Sequence, residues 1–144
     1  MLRPAPAVII HSLVDARSAL APGLPVTLVS APGAALYAGA GWWVALMAAA
    51  RSEYPVRDFQ NILDCGDAPG RAAEALRAGQ RRLVLLPVPA ASYERVRLMA
   101  AELGAVLLPA MPDALDLARP AERRRLLDWL APRPPHGDNE GGFR

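Results

Sequence analysis

The chain contains no lysine, since all sixteen of its lysine-plus-arginine residues are arginine. A protein without lysine cannot form a lysine Schiff base, and it cannot supply the lysine of a phosphate-binding P-loop. Pyridoxal enzymes, Schiff-base aldolases and Walker-type nucleoside triphosphatases are therefore excluded.

Cysteine and histidine are almost as scarce. Cys65 is the single cysteine, so the chain can form neither an internal disulfide nor a zinc site with several thiolates. His11 and His136 are the only histidines, which excludes a histidine-rich metal centre. We expect no metal site, and no residue pattern identifies a cofactor. Prolines break the first six residues, which is atypical of a signal peptide and favours a cytoplasmic location.

The formal net charge is only +2, and most arginines are interleaved with acidic residues. Adjacent arginines occur at Arg81-Arg82 and at Arg123-Arg124-Arg125, without any accompanying nucleic-acid-binding motif. This pattern is typical of solvated helix faces. We therefore expect no nucleic-acid partner.

No charged residue occurs from Ser18 to Ala50, a stretch long enough to cross a bilayer. Prolines and glycines interrupt it repeatedly, notably at Pro32-Gly33. Split there, the stretch gives a buried strand, Val26–Ser30, and a helix from about Gly41. Buried parallel strands are expected to be continuously apolar, so this division is favoured over a membrane span.

Short apolar runs alternate with helical patterns along the chain. Each run has the length of a strand, and the alternation is typical of βαβ units, whose right-handed crossovers make a sheet parallel. We predict an α/β fold with about five strands in a mainly parallel sheet, either an open, doubly wound, flavodoxin- or Rossmann-like sheet or half of a (βα)₈ barrel. The predicted strands are Ala7–His11, Val26–Ser30, Asn61–Cys65, Arg82–Leu86 and Ala105–Leu108.

Capping signals place the helices between these strands. They are the capping box Ser12–Asp15, the start Asp67-Ala-Pro69, the stop Gly79, the N-cap Ser92 and the stop Gly104. We predict a loop or short turn at Asp113–Leu117 and a final helix at Pro120–Leu130 that buries Leu126, Leu127, Trp129 and Leu130. Residues 1–131 are predicted to form one domain, and 132–144 a disordered tail.

Ligands of parallel α/β sheets bind beyond the carboxyl ends of the strands, which we call the carboxyl edge. If the strand order is the flavodoxin-like 2-1-3-4-5, the first and third strands are neighbours. His11 and Ser12 would then face Asp64, Cys65 and Asp67 across one crevice.

Three of these residues are the catalytic candidates: Cys65, His11 and Asp67. A thiolate at a helix N-terminus with a nearby histidine base would be a nucleophile. Each also has a structural interpretation, because a buried cysteine packs as a small hydrophobe, an aspartate at this position can cap a helix, and a lone histidine can bond to a carbonyl or carboxylate.

The loop from Ser30 to Gly41 is the longest on this edge. Gly39-Ala-Gly41 is a poor dinucleotide fingerprint, because Val44 occupies the third glycine position, but backbone N–H groups there could hold an anion. The candidate ligand-binding residues are Ser12, Ser30, Gly33, Gly39, Gly41, Asp64 and Asp67.

Trp42-Trp43 opens the second predicted helix. Adjacent helical residues point about 100° apart, so one tryptophan can pack inside while the other meets a ligand or a second subunit. Two functions follow: a domain that binds a small molecule at the carboxyl edge, with catalysis undecided, or a non-catalytic module that forms a homo-oligomer through the Trp42-Trp43 helix.

Overall fold

The computed structural model describes residues 5–132, which contain six strands and seven helices. The strands are β1 Ala7–Ile9, β2 Thr27–Val29, β3 Gln60–Asp64, β4 Arg82–Val84, β5 Val106–Leu108 and β6 Ala114–Asp116. The helices are α1 Leu13–Leu20, α2 Ala34–Tyr37, α3 Ala40–Glu53, α4 Pro69–Arg77, α5 Ala90–Leu103, α6 Pro120–Arg123 and α7 Leu126–Leu130.

All strands are parallel, and they form one open sheet in the order β5-β4-β3-β2-β1-β6. The predicted α/β fold with an open parallel sheet is confirmed, and it is consistent with the Rossmann-like class. Five of the strands coincide with the five predicted runs. The prediction of a loop at Asp113–Leu117 is wrong, because Ala114–Asp116 pairs with β1 as a sixth strand.

The flavodoxin-like order 2-1-3-4-5 is not observed, because β2 lies between β1 and β3. From β1 to β5, each new strand pairs with the strand before it, and the sheet grows in one direction away from β1. The predicted crevice, with His11 and Ser12 facing Asp64, Cys65 and Asp67, is therefore wrong: β2 separates the two groups.

Side chains alternate between the two faces of the sheet, as the pleat of a strand requires. Val8 and Ile10 of β1 belong to the main core, together with the buried residues of helices α1 to α5 and α7. Ala7 belongs to a smaller apolar cluster on the opposite face, against which Met111 packs. The helices that build the main core therefore share one face of the sheet.

The connection from β5 to β6, residues 109–113, joins the two opposite edges of the sheet. Strands lie about 4.8 Å apart, so the five intervals between these edges would span about 24 Å in a flat sheet. Six residue steps from Leu108 to Ala114 reach at most about 21 Å. The sheet must therefore curl towards the face that Met111 covers. A right-handed crossover that returns across the sheet has to use this face, opposite the helices.

Local signals set most helix ends correctly. Ser12 caps α1 by accepting a hydrogen bond from the Asp15 amide at 3.2 Å, Pro69 begins α4, and Gly104 ends α5 with a φ of 68°. The predicted cap Ser92 is wrong, because α5 already begins at Ala90.

The last predicted helix is divided into α6 and α7, with a break at Arg124-Arg125. Leu126 and Leu130 are buried as predicted, but Leu127 is 64% exposed, so its predicted burial is wrong. The predicted tail, apart from Pro132, lies outside the described residues.

The uncharged stretch Ser18–Ala50 divides into the end of α1, then β2, α2 and most of α3. Within residues 5–132, none of the helices has both the length and the apolar character needed to span a membrane. The division predicted from Pro32-Gly33 is confirmed.

Candidate functional site

Two groups of polar residues lie at the carboxyl edge, one on each side of β2. The first surrounds Ser30 and Asp64, at the ends of β2 and β3. The second surrounds His11 and Asp116, at the ends of β1 and β6. Three of these four residues are among the candidates predicted from the sequence; Asp116 is not.

Asp64 and Ser30 hold the loops of the first group together. The buried Asp64 carboxylate accepts hydrogen bonds from the Gly66 amide at 2.8 Å and the Gly33 amide at 3.1 Å. The Asp64 amide in turn donates to the fully buried Ser30 hydroxyl at 2.9 Å. Both carboxylate oxygens thus have protein partners, so this group fixes the shape of the edge.

Gly66 adopts a backbone conformation that residues with a side chain rarely adopt. Its φ is +56°, and an added Cβ would lie 3.2 Å from the Leu36 side chain. Glycine therefore lets the loop after β3 turn beneath α2 and bring its amide to Asp64.

Cys65 is fully buried between these loops and belongs to the main core. Burial, reinforced by the negative charge of Asp64, raises the pKa of the Cys65 thiol to about 12. The thiol is therefore protonated at neutral pH, which disfavours a nucleophilic role. The packing interpretation of Cys65 is the one that the geometry favours.

Asp67 is exposed and does not cap α4, whose N-cap residue, Ala68, has no side-chain hydrogen bond. The structural interpretation of Asp67 as a cap is therefore wrong. No hydrogen bond or ion pair joins its carboxylate to the rest of residues 5–132. Among the described residues, Asp67 is thus an unpartnered side chain at the carboxyl edge.

The N-terminus of α3 lies on the same edge. Gly39 precedes the helix with a φ of 86° and provides no side-chain cap, and Gly41 lies within the first turn. Helix N-termini leave their first N–H groups without intrahelical partners. Trp43 points inward and is fully buried, whereas Trp42 beside it is 37% exposed. The predicted division between the two tryptophans is therefore confirmed.

His11 and Asp116 form the second group. His11 follows β1 and Asp116 ends β6, and parallel pairing of these strands brings the His11 Nε2 atom to 2.7 Å from Asp116 Oδ1. Their side chains are 35% and 20% exposed, so the pair is accessible from solvent.

This hydrogen bond fixes the state of the His11 ring. An ionised carboxylate can only accept, so Nε2 carries the proton, and Nδ1 of a neutral ring keeps a lone pair. Burial acts to raise the pKa of Asp116, but the His11 and Ala118 hydrogen bonds and the charges of His11 and Arg119 together hold it below its usual value. Asp116 is therefore ionised at neutral pH and acts as the acceptor in its hydrogen bond with His11.

Asp15 and Glu122 hold the backbone on either side of the pair. Asp15 accepts from the His11 amide at 2.9 Å, and Arg123 donates to Asp15 at 2.8 Å. Glu122 accepts from the Asp116 amide at 2.9 Å. His11 and Asp116 are thus positioned by their neighbours, while Ser12, occupied as the helix cap, is a positioning residue here.

The signal that could have revealed Asp116 is its alternation in Ala-Leu-Asp-Leu, where Leu115 and Leu117 are buried and Asp116 is not. Asp113 and Asp116 flank Ala114-Leu115, so the segment does not stand out as an apolar run. In the part of the chain that the structure describes, no three His, Cys, Asp or Glu side chains are grouped closely enough to hold a metal ion.

Comparisons with known proteins do not assign this arrangement to a family. A scan against models of protein families gives no match, and a search of curated proteins gives none either.

Proposed function

We propose that the chain binds a small polar molecule at the carboxyl edge, with the His11–Asp116 pair at the centre of the site. The observation that carries this proposal is the accessible 2.7 Å contact between the two side chains. The contact lies between β1 and β6, where successive strands stop being added on one side of β1 and the last strand is added on the other. Ligands of parallel sheets typically bind at such a point, beyond the carboxyl ends of the strands.

The chemistry of the pair supports a ligand that donates a hydrogen bond. Nδ1 of His11 makes no hydrogen bond to the described residues, so its lone pair can accept one from a hydroxyl or amine. A histidine held by a carboxylate is also a general base, so proton transfer is the reaction that this site would perform.

Arg119 extends the site on its outer side. Its Nε atom lies 3.9 Å from Asp116, and its side chain is 72% exposed. The same Nε atom lies 3.6 Å from Glu122, and the Nη groups donate to none of the described residues. A guanidinium beside Asp116 would suit a ligand that carries a carboxylate as well as a hydroxyl.

Assembly is the second candidate function, and the exposed apolar surface beside α3 favours it. Leu36, Tyr37 and Trp42 are 42%, 71% and 37% exposed and lie on α2 and the first turn of α3. Trp43 is fully buried, so only Trp42 of the tryptophan pair could contact a second copy. We propose a cytoplasmic location for either function.

Native mass spectrometry of the chain purified without added ligand separates the two candidates, because it reports subunit number and retained mass together. Ligand binding gives a defined extra mass that is lost in His11→Gln and retained in Asp67→Asn, the matched variant at the end of β3. Loss of the mass in Asp67→Asn alone would move the site to β3. A dimer without extra mass that Trp42→Ala converts to a monomer would instead support assembly.

A further inference from the structure

A cleft of about 250 Å³ opens at the opposite end of the strands from the His11–Asp116 pair. It lies at the amino edge, where β3, β4 and β5 begin, and the side of α3 forms one wall. We call it the amino-edge cleft. Its lining includes Arg51, Gln60, Asn61, Arg81 and Arg82.

The cleft brings together three arginines and no carboxylate. Arg51 comes from α3, Arg81 from the loop before β4, and Arg82 from the start of β4. Within residues 5–132, none of the three forms an ion pair with an acidic side chain, in contrast to Arg17 with Glu53. Guanidinium groups in one cleft repel each other, and a bound anion would remove this repulsion.

Asn61 offers an amide that is fixed before any ligand arrives. Its Oδ1 atom accepts hydrogen bonds from the Trp43 indole and from the Gln80 amide, both at 2.8 Å. Two donors on one oxygen define which end of the amide is which. The NH₂ group of Asn61 therefore faces away from these donors, and it has no partner among the described residues.

Two of the three arginines keep donors free in a similar way, whereas Arg81 uses its Nη1 atom on two backbone carbonyls at 3.1 and 3.2 Å. Arg82 uses only Nε, which donates to the Gln60 Oε1 atom at 2.8 Å, and its two Nη groups donate to none of the described residues. Arg51 stacks over the Phe59 ring at 5.2 Å, a contact that orients the guanidinium without using its N–H groups.

We propose that the amino-edge cleft binds a small phosphate ester. A phosphate monoester carries close to two negative charges and three acceptor oxygens, which suits guanidinium forks and an amide NH₂ better than a single carboxylate does. Val44, Met47 and Val106 give the cleft an apolar side for the organic part. The volume suits a ligand much smaller than a dinucleotide.

This site is independent of the one proposed around His11. The two lie at opposite ends of the strands and have no lining residue in common. His11→Gln should therefore leave phosphate binding unchanged, so each proposal can fail without the other.

Isothermal titration calorimetry with phenyl phosphate, inorganic phosphate and phenol, at constant ionic strength, tests the cleft. We expect saturable binding of phenyl phosphate, weaker binding of inorganic phosphate and none of phenol. Arg82→Gln and Arg51→Gln should each weaken phenyl phosphate binding about tenfold, as expected for one lost charge-assisted contact. Arg95→Gln, an equal change of charge on the exposed side of α5, should change it less than about twofold.

Two results would overturn the proposal. One is the absence of saturable binding of either phosphate up to about 10 mM, a concentration at which even a weak site is occupied. The other is equal weakening by Arg95→Gln, which would show attraction to overall charge. If Arg82→Gln does not fold, Arg51→Gln decides the outcome, because the Arg51 guanidinium donates no hydrogen bond to the described residues.

Discussion

The two edges of the sheet use their polar residues in opposite ways. At the carboxyl edge, most polar groups bind each other: Asp64 holds two loop amides, Ser30 holds Asp64, and Asp116 holds His11. At the amino edge, a few bonds around Asn61 and Gln60 orient side chains whose remaining donors bond to none of residues 5–132.

This difference separates two meanings of a polar residue beside a strand. A carboxylate whose oxygens both have protein partners stabilises loops, because buried amides need acceptors. An amide or guanidinium held by one end keeps its other end for a ligand. Unused donors and acceptors are therefore our criterion for a candidate ligand group, and at the carboxyl edge His11 meets it through Nδ1, which bonds to none of the described residues.

The largest expected loss of stability comes from the carboxyl edge, where Asp64 bonds to two loop amides. Asp64→Ala leaves the Gly33 and Gly66 amides without their acceptor, and hydrogen bonds to charged groups are worth about 1.5–3 kcal/mol each. We expect the free energy of unfolding to fall by at least about 3 kcal/mol, measured by urea denaturation. Asp67→Ala, the exposed neighbour, should leave the midpoint unchanged. Equal losses in both variants would contradict the bracing role.

Trp43→Phe tests the amino edge, where the Trp43 indole orients the Asn61 amide. The change keeps an aromatic ring in the core but removes the indole N–H that holds Asn61. We expect a loss of about 2 kcal/mol of stability from the hydrogen bond and the small cavity. Binding of phenyl phosphate should weaken as well, because Asn61 keeps only its bond to Gln80. Trp42→Phe is the control, and weakening there would show that Asn61 is not responsible.

The smallest expected effect is a pH dependence at the His11–Asp116 pair. A lowered pKa means that the folded state favours the ionised Asp116 carboxylate. Asp116 should therefore stabilise the fold above its usual pKa of 3.8, and this contribution should be lost as the pH falls through the lower, folded-state pKa.

Urea denaturation of the wild type and of Asp116→Asn measures this contribution. The wild type should be the more stable at about pH 6, and the difference should shrink as the pH falls below the usual Asp116 pKa of 3.8. A difference that stays constant with pH would mean that Asp116 acts through its shape and not through its charge.

The strands could be predicted from the sequence because each of the five is a short apolar run between turn residues. Their order could not, because alternation of strands and helices is the same for every order. The decisive segment is residues 109–113, which returns the chain to β1 without a helix. β6 could not be predicted either, since Asp113 and Asp116 flank its Ala114-Leu115 pair and the segment does not resemble the other apolar runs.

The candidate site was predicted only in part, for a related reason. The edge and His11 were identified from the positions of the strand ends, whereas Asp116 became a neighbour of His11 through the unexpected pairing of β6 with β1. Arg81-Arg82 was interpreted as a solvated helix face, but Arg82 begins β4. Arg51, Asn61 and Arg82 come from three segments, so only the folded chain shows that they share a cleft.

The pairing of β6 with β1 has a consequence for synthesis on the ribosome. Strands β1 to β5 emerge in the order in which they lie side by side, so the sheet can grow with the chain. The outer side of β1 stays unpaired until β6 emerges, and an exposed strand edge invites pairing with other chains. A nascent or truncated chain that ends before Ala114 would therefore carry an open edge that the longer chain covers.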